Sequence, residues 1–212
     1  IVAWNAWMIG AFAKAGRAFN EPRYTQAAVR ALGFIRENLW SQGQLSRYSS
    51  GGRPVGIGQA EDFAALIQAC LEVFPSDFES GWSEWALELQ TAMDMRFWDG
   101  EEGLYFANDG KDSCLPMRPH DEYDGVTPCS NSMAAFNLNR LYLLTGEEKF
   151  RHQASRIAKA LFPKLKQYPS GLPYLGLALD FAISEPKVAV LNGAGWVEDF
   201  KNKTEREFKP YL

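Results

Sequence analysis

Arg118-Pro119-His120-Asp121-Glu122-Tyr123-Asp124-Gly125-Val126-Thr127-Pro128-Cys129-Ser130-Asn131-Ser132 decides how the chain is read. The stretch sets an Arg, a His, three acids, a Tyr and a Thr in one loop, and an apolar helix starts directly behind it. Met133, Phe136, Leu141 and Leu144 belong to that helix, and Gly146 suits the left-handed position just past its end. Phe150, Ala154, Ile157, Ala158 and Leu161 then form its partner. The unit is a long polar loop followed by a helical hairpin.

The helical hairpin occurs twice more upstream, the nearer one also behind a polar loop. Trp4, Trp7, Met8, Ala11, Phe12, Ala15 and Phe19 recur at spacings of three and four and predict one apolar helix face. Asn20 is a candidate cap, Pro22 suits the first turn of the next helix, and Tyr24, Ala27, Ala28, Ala31, Leu32, Ile35 and Leu39 make that helix's stripe, ending near Gly43. Gln44 to Ile57 is turn-rich and reads as a short β-hairpin or an irregular loop. Phe63, Leu66, Ile67, Cys70, Leu71 and Phe74 restore the helical period, and Ser76-Asp77-Phe78-Glu79 matches a capping box before a helix through Phe97. Trp98 to Phe106 is a turn followed by a short strand, Pro169 to Phe181 a further short helix, and Lys187 to Leu191 a strand.

Tyr24, Trp82 and Phe150 sit at matching places in the three second helices, and Asn5, Asp62 and Asn131 near the starts of the three first helices. Repeated hairpins that cannot bury their faces alone must stack, as an open solenoid or a closed ring. The long loops (44–58 and 98–128) all precede first helices and so gather on one face, which favours the ring. The expected fold is all-α: an (α/α) toroid of helical hairpins, partial or complete, over residues 1–193, with short β-hairpins in its loops and a charged tail at 194–212. The first helices point their N-termini, with free N–H groups, at the loop face. Only about half of a six-hairpin ring is visible, and the chain opens on Ile1 with no Met, so a fragment of a longer protein is expected.

A net charge of −4 argues against nucleic acid. No apolar run is long enough to span a bilayer, and no leader is seen. Cys70, Cys114 and Cys129 show neither disulfide nor zinc spacing, which suits a reducing, cytoplasmic compartment. Aromatic residues make up 14% of the chain, with seven Trp, a surplus that serves a core or a cleft that stacks sugar rings.

His120, Asp121, Glu122 and Asp124 form the densest titratable cluster. Carboxylates in unlike surroundings divide into proton donor and base or nucleophile, although a solvated acidic loop has the same composition. Glu61-Asp62 opens a first helix, where acids ordinarily cap and complement the dipole, and the repeat brings Asp62 to the same mouth as Asn131. Arg47 and Arg53 suit anions but also ordinary surface. His152 reads as a surface residue, so no histidine pair is offered. Gly193-Ala194-Gly195 lacks the full dinucleotide pattern, and no P-loop, nucleophile elbow or metal motif is present, so neither cofactor nor metal is expected. The expected site uses Asp62, Asp121, Asp124 and His120 for proton transfer, and Trp4, Asn5, Tyr48, Glu61, Arg118, Tyr123 and Asn131 for binding.

Trp4-Asn5, Ala13-Lys14-Ala15-Gly16-Arg17, Glu61-Asp62, Arg118-Pro119, Tyr123-Asp124-Gly125-Val126-Thr127-Pro128, Ser130-Asn131-Ser132 and Tyr168-Pro169-Ser170 together resemble the C-terminal region of the spermatogenesis-associated protein 20 family, over roughly residues 1–193. The resemblance implies a toroid similar to six-hairpin glycosidases and N-acylglucosamine 2-epimerases, joined in the longer chain to an N-terminal thioredoxin-like domain. It implies carbohydrate-enzyme ancestry with a sugar or small polar ligand. It equally allows a non-catalytic module that packs against the thioredoxin-like domain. The epimerase relatives transfer protons with histidines, and this sequence has no matching pair.

Overall fold

The computed structural model describes residues 1–77, 81–111, 117–184, 186 and 188. Three helical hairpins and a further helix follow one another: α1 (Val2–Ala18) with α2 (Pro22–Leu39), α3 (Ala60–Val73) with α4 (Trp82–Phe97), α5 (Ser130–Thr145) with α6 (Glu148–Gln167), then α7 (Pro173–Ile183). Each first helix packs on its own partner and on the next first helix, α1 on α3, α3 on α5 and α5 on α7. First helices thus form an inner row and second helices an outer one, the arrangement of an (α/α) toroid.

The loops carry the short hairpins. β1 (Trp40–Ser41), β2 (Gln44–Ser50) and β3 (Arg53–Ile57) form an antiparallel sheet before α3, with Tyr48 opposite Val55. β4 (Trp98–Asp99) and β5 (Leu104–Tyr105) pair after α4, and a bridge from Phe106 to His120 ties in the loop ahead of α5. The second helix therefore ends at Leu39, ahead of the hairpin. Glu21 stands at its N-cap position while Asn20 takes a left-handed φ of 50°, so Asn20 turns the chain without capping.

The stripe expected on α1 is reversed. Its buried face is Val2, Ala3, Ala6, Ile9, Gly10, Ala13 and Gly16, whereas Trp4 is 67% and Phe19 74% exposed, with Met8 also outside. Small residues let α1 come close to both α2 and α3. A Cβ on Gly10 would stand 3.6 Å from Glu72 of α3. Close approach of neighbours, and not the size of each side chain, decides which face is buried here. Trp7 and Phe12 of the expected stripe are half-buried against the core, with rings on Tyr174 edge-on and Tyr24 face to face. The other helices follow their periodicity: Ala28, Leu32, Ile35 and Leu39 of α2, Trp82, Trp85, Leu89, Met93 and Phe97 of α4, and Phe150, Ala154, Ile157 and Leu161 of α6 are buried.

Two polar clusters cross the interior. Glu72 of α3 meets Arg140 at 2.7 Å and Lys14 and Arg17 at 3.3 Å each. Burial alone would raise its carboxyl, but the three cations outweigh it and hold the pKa below the usual range. In the outer row, Asp94 accepts from the Tyr105 hydroxyl at 2.5 Å, and the Gln90 and Gln153 amides donate to both. The sequence Ser76–Glu79 runs into residues outside those described. Helix α4 begins at Trp82 behind Gly81, whose φ is 68°. The expected strand at 187–191, Gly193-Ala194-Gly195, Cys114 and the charged tail also lie outside the described residues.

Candidate functional site

The starts of α3 and α5 stand side by side beneath the first β-hairpin and the loop ahead of α5. A cleft of about 210 Å³ opens there, lined by Arg47, Gln59, Glu61, Ala107, Asp121 and Ser130. Strand alternation explains Arg47: Leu45 of β2 is buried and Arg47, two residues on, shares its face and reaches the start of α3. Its Nη2 donates to Glu61 Oε1 at 2.5 Å, and its Nη1 lies 3.4 Å from Asp62 Oδ2.

Asp62 is fully buried and spends its carboxylate on backbone. Oδ2 accepts the Gln59 N–H at 2.9 Å and closes a capping box at the start of α3. Oδ1 accepts the Ala3 N–H at 3.0 Å and caps α1 as well. Burial pushes its carboxyl up, against the two N–H donors and Arg47. Asp124 does the same work further on. Its oxygens accept the Cys129 N–H at 2.9 Å, ahead of α5, and the Tyr174 N–H at 2.8 Å, in the first turn of α7. Asn131 is also fully committed, exchanging hydrogen bonds with both backbone groups of Tyr105 and donating to Asp121 O. The Cys129 sulfur accepts the Ser132 N–H at 3.4 Å, and burial raises the thiol to about 12. The helix-start N–H groups that the sequence offered to a ligand are therefore largely taken by the chain's own side chains.

Glu61 and Asp121 differ from these. Asp121 accepts one backbone bond, from Ser130 N–H at 2.9 Å, and lines the cleft with the rest of its carboxyl. Burial raises its pKa, the Ser130 N–H opposes, and the charges of Glu61 and then Asp124 raise it further. Glu61 and Asp121 therefore feel one another across the space, and among the described residues Glu61 alone of the two is paired with a cation.

The other expected residues fall elsewhere. His120 hydrogen-bonds Asp99 at 3.0 Å and stacks on Phe106. Arg118 lies over the same ring and donates to the carbonyls of Asn108 and Arg96, so it braces the loop. Asn5 folds back on Ile1 O. Trp4 points outward, Tyr48 is on the hairpin without lining the cleft, and Tyr123 is exposed beside it. Among the described residues no group of three His, Cys, Asp or Glu side chains is placed to hold a metal ion, and no helix is long and apolar enough to cross a membrane.

No family model matches the chain. Spermatogenesis-associated protein 20 of Rattus norvegicus is 31% identical over 212 residues, and that of Homo sapiens 30%; each match covers 95% of this chain and 27% of the relative. The chain thus spans little more than a quarter of the curated relatives it matches. Among solved structures, a D-mannose isomerase superposes with a TM-score of 0.58 at 22% identity, covering 75% of this chain and 39% of that one. An inactive α-1,6-mannanase variant of Salegentibacter sp., in complex with α-1,6-mannotriose, gives 0.61 at 16%, covering 76% and 46%. Cellobiose 2-epimerase of Spirochaeta thermophila gives 0.58 at 16%, covering 74% and 41%. At these identities the likeness is one of fold. The chain is a homologue of spermatogenesis-associated protein 20 over this part of its length, folded as an (α/α) toroid of helical hairpins.

Proposed function

We propose that the chain is a carbohydrate-handling toroid domain whose cleft binds a neutral sugar, with Asp121 as proton donor and Glu61 as proton acceptor. The carrying observation is the convergence of these two carboxylates, in unlike surroundings, on one space at the starts of α3 and α5. Two carboxylates against one already paired guanidinium repel anions and favour hydroxyl groups, which donate to carboxylates and accept from Arg. The space equals about seven waters at ~30 Å³ each, the scale of one sugar ring. The neighbouring folds belong to sugar isomerases, epimerases and mannanases, which supports the ligand class.

Incubation of the full-length protein with mannose, glucose or cellobiose in D₂O tests the reading. Deuterium entering the sugar marks proton abstraction, and new reducing ends released from an oligosaccharide mark hydrolysis. Either should fall by roughly 10²–10⁴-fold in Glu61→Gln and Asp121→Asn. Sugar binding with neither outcome in the wild type would remove the acid–base roles.

One observation favours a second reading, a packing module. Trp4, Met8 and Phe19 stand outward along α1 and form an apolar edge. In that reading the edge meets another domain of the longer protein, the thioredoxin-like one that the family resemblance implies. Trp4→Ser with Met8→Ser would then weaken association of the two domains supplied as separate chains, and unchanged association would dismiss it.

A further inference from the structure

Tyr123 and Tyr168 are each 57% exposed, yet both rest on one glycine. A Cβ on Gly171 would lie 2.5 Å from Tyr168 Cδ1 and 3.1 Å from Tyr123 Cε2. The two rings thus converge on a single backbone point, where a side chain would force them aside. That point is fixed: the Gly171 N–H donates to Tyr168 O at 3.0 Å, and Gly171 O accepts the Asp124 N–H at 2.8 Å. The second bond ties the pair to the loop that walls the cleft. Tyr123 follows Asp121 by two residues, at most ~7 Å of extended chain. Charged groups rim the pair, since Glu122, next to Tyr123, is ion-paired with Lys164, one turn before Tyr168.

Single exposed tyrosines are ordinary. Two rings gathered on one glycine, beside a polar cleft and edged by a carboxylate and an ammonium, form a surface suited to one chemistry. The C–H face of a sugar lies on aromatic rings while its hydroxyls meet the polar rim. The geometry points to a second carbohydrate subsite, an aromatic platform of Tyr123 and Tyr168 that holds the next unit of an oligosaccharide whose terminal unit occupies the cleft. This rests on the reading of the cleft as a sugar site. It predicts a preference for oligosaccharides over monosaccharides.

Calorimetric titration of the full-length protein with mannose, glucose, α-1,6-mannotriose, maltotriose and cellotriose tests it. A trisaccharide should bind more tightly than its monosaccharide. Tyr123→Ala and Tyr168→Ala should each weaken the trisaccharide by about tenfold and leave the monosaccharide unchanged. The Phe variants, which keep the rings, should bind like the wild type, and Gly171→Ala, which displaces a ring without deleting it, should weaken the trisaccharide alone. Alanine variants with unaltered trisaccharide affinity would overturn the platform while leaving the cleft intact. Loss of trisaccharide binding in the tyrosine variants, with Glu61→Ala and Asp121→Ala without effect on either sugar, would keep the platform and overturn the cleft. A wild type that binds none of these sugars overturns both.

Discussion

The Asp62 carboxylate accepts the backbone N–H of Ala3, fifty-nine residues earlier, at 3.0 Å. One side chain at the start of α3 thereby caps two first helices, α1 and its own.

Removing that carboxylate should destabilise the chain. Asp62→Ala leaves the N–H groups of Ala3 and Gln59 without acceptors, and each lost cap costs ~0.5–2 kcal/mol. The expected total is roughly 1–4 kcal/mol, with Asp62→Asn milder because its amide oxygen still accepts. Urea denaturation measures it. Asp62→Ala as stable as the wild type would refute the double cap.

Asp124→Ala should act on a different part of the molecule. It frees the Cys129 and Tyr174 N–H groups, so α7 loses its side-chain tie to the loop and keeps only the backbone bond from Asp124 N–H to Gly171 O nearby. Hydrogen exchange should quicken in the first turns of α5 and α7 and stay unchanged at α1 and α2. Uniform acceleration across α1 to α7 would argue against a local clamp.

Glu72 should govern part of the acid response. Its folded pKa is lowered, so its contribution is present above the unfolded value of ~4.3 and is lost as pH falls through the folded value. Glu72→Gln removes a buried carboxylate from three cations and should cost ~3–5 kcal/mol near neutrality. The stability of the variant should then vary less with pH below 5 than that of the wild type, as read from thermal melts between about pH 3 and 7.

Asp121 carries the opposite sign. Its folded pKa is raised, so the stability it adds is present below ~3.9 and is lost as pH rises through the folded value. In the proposed reaction the protonated form would be the donor, so turnover should then decline as pH rises through that same value. A carbon-13 carboxyl titration compared with the pH–rate profile checks the match, and Glu61→Gln, which removes a neighbouring negative charge, should lower the midpoint.

Two glycines should respond in opposite directions. Gly146 ends α5 with φ of 72° and nothing within 4 Å of an added methyl group, so Gly146→Ala should cost ~1 kcal/mol through backbone strain alone. Gly33 lies inside α2 with the same open space and ordinary helical geometry, so Gly33→Ala should add ~0.4–1 kcal/mol. Chemical denaturation of both variants separates the backbone effect from packing.

The helix pairs were legible because their period of 3.6 and their turn residues agree with their final places, whereas the first loop hairpin was one of two readings and only the second strand after α4 was read. Helix α1 was not. Its aromatic residues trace a clean helical face, but α2 and α3 approach through Ala6, Gly10, Ala13 and Gly16, and a stripe of small residues is a weak signal in a sequence. The acidic loop was found, while the duties of its members were not. Asp121 and Asp124 look alike in sequence; which of them exhausts both oxygens on backbone depends on Tyr174, which is far away along the chain. Arg47 was visible only as a hairpin arginine, although its alternation with Leu45 could have aimed it at Glu61.

The acids come in neighbouring sets that divide between holding and facing. Asp62 and Asp124 spend both carboxylate oxygens on backbone N–H groups, whereas Glu61 and Asp121 line the cleft, Asp121 with a single bond to the start of α5. A lineage descending from such a chain can therefore alter or abandon what the cleft accepts without loosening the ring. On the proposed function, it can also retain the ring's fasteners unchanged long after the chemistry beside them has drifted. In a set of descendants, Asp62 and Asp124 should be the slower-changing pair and Glu61 and Asp121 the pair whose identities sort with ligand.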